Sequence, residues 1–372
     1  MVERYSAIYT FITKSTKTLQ HMDAINYKML VLARESRGLT QTQLAQLIPC
    51  LNQGNLSKME KGILSISEDV LTRVSETLNY PLAFFYKSEP KTSINAFYYR
   101  KRLTFPKKEL ATLEAKMDIV RLNIDELLSA VEIPDFRLPT IEPNGKITPE
   151  DIARNIRTVM AIPKGPIGNL IEYIEKFGII VYFLDTDSEK FDGITLYTNS
   201  GYPIIFLNKG ISNDRKRFTL GHELGHLIMH IPFSTIKDSD QIENEANRFS
   251  AEFNMPTLDC RNDLLNLKFN SLGYLKSYWK LSKAAIILKA KAIGAINDST
   301  YKYMVIELSR RGERKLESVT VALDEPKIIK ELINIYRNEL NYSTEELTRV
   351  LGISNKDYKD YFENNIRTLR IA

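Results

Sequence analysis

Cysteine is scarce in this chain: its 372 residues include two, Cys50 and Cys260, far apart. Two isolated thiols supply neither a disulfide framework nor a thiolate metal site. Long apolar runs are missing as well. No stretch approaches the ~20 apolar residues of a membrane span, although a hydrophobic content of 43% is ample for buried cores. Residues 1–5 (MVERY) lack a signal-peptide pattern. These absences argue against a disulfide-stapled scaffold or a helical membrane protein, and they predict a soluble cytoplasmic protein. The length suits two or three domains.

Histidine is scarce too, yet three of the four histidines (His222, His226 and His230) fall within nine residues. Residues 222–226 read HELGH. Positions four apart share a helix face, so His222 and His226 can point at one cation. Glu223, between them, is placed to take a proton from metal-bound water. A tetrahedral catalytic zinc site uses three protein ligands and leaves one position open. In a continuing helix His230 lies ~12 Å along the axis from His222, at ~1.5 Å per residue. That is too far for a shared metal, so His230 reads as a helix-terminal or supporting residue.

A third ligand is available after the break at Ile231 and Pro232. The apolar spacing of Ile242, Ala246, Phe249 and Phe253 predicts a second helix over 240–253. Glu243 and Asn247 share one face of it, a carboxylate with a polar supporting neighbour. Glu245 points toward the side of Arg248 and Phe249. Glu243 is therefore preferred to Glu245 as ligand, with ordinary surface charges as the structural alternative.

With these residues in view, the segment 217–226 (RFTLGHELGH), followed by 242–249 (IENEANRF) and Met255-Pro256, resembles the ImmA/IrrE family of zinc metallopeptidases. Residues 165–173 (GPIGNLIEY) resemble that family's helix before the first strand. Residues 192–196 (DGITL) and 203–208 (PIIFLN) resemble its sheet, and 279–285 (WKLSKAA) part of the helix pair after the site. The resemblance is strong over about 165–310. It departs at Ser250, where members usually carry Ala, and at Asn254, where an apolar residue usually precedes Met-Pro.

The N-terminal part reads as an all-helical unit. Thr40 caps a helix over 41–48, with Gln43 completing a capping box, and a third short helix spans 53–61. Residues 39–45 (LTQTQLA) and 55–62 (NLSKMEKG) resemble the helix-turn-helix of XRE-type, lambda-repressor-like proteins. In that family an Arg on the first helix commonly pairs with a Glu ending the third, and Arg34 and Glu60 occupy those places. Docked as such motifs dock, the third helix enters the major groove. Gln53 and Asn55 would read adenine, with Gln41, Ser57 and Lys58 on phosphates or adjacent bases. Residues 26–89 hold seven basic against six acidic side chains, so phosphate neutralisation is weak and a dimer is needed for useful affinity. A bundle used for protein contacts is the structural alternative.

Beyond it, 98–102 (YYRKR) with Lys107 and Lys108 is a basic stretch that reads as linker or solvated face. A helix follows over 107–131, then a linker marked by Pro134, Pro139, Pro143 and Gly145. Thr148 caps the next helix, with Pro149 at its first position. Residues 178–184, 194–197 and 204–207 read as strands. The metal helix over 214–230 is expected to pack under them through Phe218, Leu224, Leu227 and Ile228. Gly221 and Gly225 inside it imply close approach of another element. The resemblance implies that an exposed sheet edge holds a substrate peptide by strand addition, supplied by 194–197 or 204–207. Capping residues at Ser343 and Ser354 mark short C-terminal helices that cover the core.

The expected fold is α+β and mostly helical. An extension (1–25) leads into an XRE-type helix-turn-helix (26–90), then a connecting helix and linker (91–147). A zincin-like metallopeptidase domain (148–310), with a small sheet and the HExxH helix, is followed by a C-terminal helical module (311–372). The resemblance implies a Zn²⁺-dependent endopeptidase with His222, His226 and Glu243 on the metal and Glu223 as base, whereas Tyr197 and His230 are only weak candidates to stabilise the oxyanion. It further implies operator DNA as one partner and, as substrate, a transcriptional repressor in a stress, phage or mobile-element response. The alternative is a DNA-binding regulator or antitoxin-like protein whose protease-like domain senses without turnover.

Overall fold

The computed structural model describes residues 25–88, 106–186, 188, 190–233, 238–314, 317–322 and 324–363. The basic stretch 98–102 and the N-terminal extension lie outside them, apart from its last residue. The chain is α+β and mostly helical, with one small sheet. Its described residues form two compact units: one of 25–88, 107–119 and 342–359, the other of 120–341 with 360–363.

The first unit starts with α1 (Tyr27–Ser36), α2 (Gln41–Leu47), α3 (Gln53–Glu60) and α4 (Glu68–Leu78). Each begins where a side chain satisfies backbone donors left open by the first turn. Asn26 caps α1, Asn52 caps α3 and Ser67 caps α4, while Thr40 and Gln43 form the anticipated capping box on α2. Met29, Leu30, Leu44, Leu56, Val74 and Phe85 are buried between these helices. Arg34 meets Glu60 through two hydrogen bonds, Nε–Oε1 at 2.6 Å and Nη2–Oε2 at 3.0 Å.

Helix α5 (Lys107–Leu128) ends three residues short of the expected limit. Its residues to Ile119 group with the first unit and those from Val120 with the second. The segment after it is no loose linker. Leu138 is buried in the peptidase-side core, and Ile141 N donates to the Ile228 carbonyl at 3.1 Å. Gly178, at φ +77°, permits this docking: a Cβ there would sit 2.3 Å from the Pro134 carbonyl oxygen.

The second unit continues with α6 (Pro149–Val159), α7 (Leu170–Glu175), β1 (Ile180–Leu184), β2 (Gly193–Tyr197) and β3 (Pro203–Asn208). Among the described residues the strands form one sheet in the order β1-β3-β2, with β1–β3 parallel and β2–β3 antiparallel. Of the two strands proposed as an open edge, 204–207 therefore lies in the middle, and β2 is at the edge.

Helix α8 (Asn213–Met229) packs on this sheet through Leu220, Leu224, Leu227 and Ile228, which share a core with Val181, Phe183, Ile205 and Leu207. Phe218 does not join them. It packs instead against the helical cluster built by Met255, Trp279, Ile286 and Met304, because it lies on the opposite flank of the helix. That cluster begins at Met255, the C-cap of α9 (Ser239–Asn254), and runs through α10 (Thr257–Leu264), α11 (Leu272–Trp279), α12 (Lys283–Ala292) and α13 (Asp298–Arg310). Arg217 anchors the early turns of α8, pairing with Asp324 and donating to the Ile167 carbonyl at 2.7 Å. After α14 (Ile328–Asn334) come α15 (Thr344–Leu351) and α16 (Asn355–Tyr358), capped by Ser343 and Ser354 as expected. The expected C-terminal module is thus shared, since 342–359 belong to the first unit. There Arg37 binds the Asp357 carboxylate at 2.6 and 2.7 Å, and Lys87 Nζ donates to the carbonyls of Val350 and Leu351.

Candidate functional site

The pair α8–α9 brings together a cluster of metal-suited side chains. His222 and His226 lie on one face of α8, and their Nε2 atoms are 2.9 Å apart. Glu243 enters from the first turns of α9, with Oε2 3.5 Å from His222 Nε2 and Oε1 3.4 Å from His226 Nε2. One donor atom from each of the three lies within 4.8 Å of the other two.

These residues fit a small divalent cation by the chemistry of their donors. A tetrahedral zinc with ligands at ~2.0–2.1 Å places those ligands roughly 3.3 Å from each other, close to the separations seen. His222 Nδ1 lies 3.0 Å from Asn247 Oδ1. A carbonyl oxygen accepts only, so this nitrogen donates and the Nε2 lone pair faces the cluster. Asn247 thus supports His222. Burial pushes the His226 pKa down, and the His222 charge adds to that against the raising effect of the carboxylates. A neutral imidazole is the form that binds a metal.

Glu223 is buried, and its Oε2 accepts from the Thr195 hydroxyl at 3.0 Å. Thr195 belongs to β2, so the edge strand holds the carboxylate beside the histidine pair. Sequence reasoning did not pick out Thr195, although a polar residue within the otherwise apolar run GITLY was the available signal.

Glu245 acts on Arg248, on the side expected, and also reaches His230. It turns toward the end of α8, where its Oε2 is 3.1 Å from His230 Nε2, while Gln241 Nε2 donates to its Oε1 at 2.8 Å. Arg248 pairs with Glu150, and Glu150 and Glu245 together raise its pKa. His230 is the C-cap of α8 and 2% exposed. Its partners Glu245 and His226 occupy both ring nitrogens, which removes it as an oxyanion donor. Tyr197 packs against the core, and burial raises its phenol pKa.

The glycines of α8 admit α9 as anticipated. A Cβ on Gly221 would lie 2.6 Å from Asn254 Nδ2 and 2.8 Å from Ser250 Oγ, and one on Gly225 3.1 Å from the Phe249 ring. Ser250 and Asn254, the two departures from the family pattern, act together here. Ser250 Oγ donates to the Phe218 carbonyl at 2.6 Å, and Asn254 Nδ2 donates to the Ser250 carbonyl at 3.0 Å.

Residues 174–291 match the family model of the IrrE N-terminal-like domain, a peptidase family. This segment is IrrE-like. Residues 30–85 match the helix-turn-helix family model, so the two matches reproduce the architecture implied by the motifs. Curated proteins give no match to the chain. The IrrE-like match encloses His222, Glu223, His226 and Glu243, and the helix-turn-helix match encloses all five residues proposed for DNA.

In that helix-turn-helix Gln53, at the start of α3, is exposed, as is Lys58, while Asn55 and Ser57 are partly covered. Gln53 Nε2 donates to Gln41 Oε1 at 2.9 Å, and Gln41 Nε2 donates to Glu60 Oε2 at 2.7 Å. The structure thus joins Gln53, Gln41, Glu60 and Arg34 in one chain. Although burial pulls the other way, Glu60 raises the pKa of Arg34. No described helix is long and apolar enough to cross a membrane.

Proposed function

We propose that the chain is a zinc-dependent endopeptidase that uses its helix-turn-helix to reach an operator and cleaves the transcriptional repressor acting there. One observation carries the enzymatic part: three metal-suited donors within 4.8 Å, next to a carboxylate fixed by a hydroxyl from the edge strand. His222, His226 and Glu243 would hold the ion. When bound, zinc supplies a Lewis acid for the scissile carbonyl and an activator of water. Glu223 takes the proton from the attacking water and returns it to the leaving amine. Thr195 keeps the Glu223 carboxylate oriented for both transfers.

Strand β2 supports an extended peptide as substrate. Thr198 N bonds to the Tyr202 carbonyl and Asn208 N to that of Asp192. By alternation, Gly193, Thr195 and Tyr197 direct their N–H and C=O groups away from β3. Arg121 Nε donates to the Tyr197 carbonyl at 2.8 Å, which leaves the Gly193–Thr195 stretch for strand addition beside Glu223. On the DNA side, exposed Gln53 and Lys58 with Gln41, Asn55 and Ser57 would meet bases and phosphates, as a dimer on a palindromic site.

The test is metal analysis joined to turnover on a repressor encoded beside the operator, comparing wild type with Glu223→Gln. About one zinc per chain in both proteins, with cleavage lowered roughly 10²–10⁴-fold in the variant, is expected. No zinc uptake by the wild type overturns the reading. Zinc uptake with no cleavage leaves a regulator whose peptidase-like domain senses without turnover.

A further inference from the structure

We propose that Glu245 and His230 form a positioning relay that fixes the proton of His226 on Nδ1 and so presents its Nε2 lone pair to the metal. The inference rests on the metallopeptidase reading of the site. It starts from Glu245, whose carboxylate accepts from Gln241 Nε2 at Oε1 and presents Oε2 to His230. Because its Oε2 is 3.1 Å from His230 Nε2, that nitrogen donates. In the neutral ring the other nitrogen, Nδ1, then accepts. His230 Nδ1 lies 3.0 Å from His226 Nδ1, so His226 donates there and its Nε2 is left with a lone pair.

The outcome converges with that at His222, where donation to Asn247 sets the same tautomer. Two lone pairs facing each other at 2.9 Å repel unless a cation lies between them. The i,i+4 spacing seen at 222 and 226 repeats at 230, and its use changes along the helix. The third imidazole is too far along the axis for the metal but lies against the second, its ring tilted by 58° with centroids 5.1 Å apart. Burial of His230 and Glu245, and the Gln241 amide on the second carboxylate oxygen, hold the relay in place.

Glu245→Gln offers an amide N–H to His230 Nε2. His230 then carries its proton on Nδ1 and donates to His226, whose own proton moves to Nε2 and blocks the metal. Histidine ¹⁵N spectra of the metal-free protein read this directly, since the chain holds four histidines. The expected wild-type result is the Nδ1–H tautomer at His226, shifted to Nε2–H in Glu245→Gln. Zinc affinity, measured by chelator competition, is expected to fall about 10–100-fold in that variant. Adding His230→Gln, whose amide oxygen can accept from His226 Nδ1, is expected to restore tautomer and affinity. A wild-type His226 carrying its proton on Nε2, or unchanged zinc affinity in Glu245→Gln, overturns the relay. A wild type with the Nδ1–H tautomer and no zinc uptake supports the relay and overturns the metallopeptidase reading instead.

Discussion

The helix pairs that carry the two candidate chemistries are built on opposite plans. In α8–α9 the polar side chains turn inward: His222, Glu223, His230, Glu245, Ser250 and Asn254 are all buried, and each bonds to a named neighbour. In α2–α3 the polar side chains turn outward, and the chain from Gln53 through Gln41 runs back to a single inner anchor, Glu60 with Arg34. Metal chemistry needs donors dried and aimed before the ion arrives, because an unpaired buried polar group is costly. Reading DNA needs donors that stay in water until a groove replaces it. Rigidity is therefore distributed through the first pair and concentrated at one ion pair in the second.

The largest effect expected from breaking this contrast lies at that ion pair. The Arg34 and Glu60 side chains are 8% and 5% exposed. Arg34→Met strands a buried carboxylate and is expected to destabilise the first unit by about 3–5 kcal/mol. Chemical denaturation should show an earlier transition for that unit while the peptidase unit unfolds as in wild type. A loss under 1 kcal/mol would mean that the pair is only rim decoration.

Next in size is an inward carboxylate away from the His222, His226 and Glu243 cluster. Burial pushes the Glu175 pKa up to about 7 from 4.5, despite backbone N–H groups of Lys327 and Ile328 at 2.9 and 3.3 Å. Because the folded pKa lies above the unfolded one, the folded state favours the protonated acid. The penalty is fully present above pH 7, is relieved as pH falls toward 4.5, and amounts to roughly 3 kcal/mol. Glu175→Gln should raise stability at pH 8 and flatten its dependence between pH 5 and 8. An unchanged pH profile would show that Glu175 ionises normally.

The smallest effects come from adding one methyl to each pair. Gly221→Ala forces Asn254 and Ser250 aside and is expected to cost ~1–3 kcal/mol. At Gly54 in α3 a Cβ meets only Asn52 Oδ1, at 3.5 Å, so Gly54→Ala is expected to gain up to about 1 kcal/mol of helix propensity. Thermal unfolding of the two variants checks the signs, and equal shifts in one direction would erase the proposed difference in packing.

What sequence made legible follows the range of each interaction. Capping at Thr40, Thr148, Ser343 and Ser354 depends on neighbours three residues away and was readable at once. So was the i,i+4 pairing of His222 with His226, and the glycines at 221 and 225 announced a close neighbour without naming it. Interactions set by tertiary placement were not readable. The central position of β3, the turn of Glu245 toward His230 and the contact of Phe218 with the later helices each depend on how one element rotates against another. The stretch after α5 looked like a linker because Pro134, Pro139, Pro143 and Gly145 punctuate it. Its docking depends on a glycine some forty residues onward, at Gly178.

The return of residues 342–359 to the first unit has a consequence for biosynthesis. Arg37 and Lys87 are translated early, yet their partners Asp357, Val350 and Leu351 leave the ribosome only after the whole IrrE-like segment. A nascent chain thus holds an unfinished first unit until residues 342–359 have emerged. A product terminated before residue 342 lacks the closing contacts of the unit that carries the helix-turn-helix match.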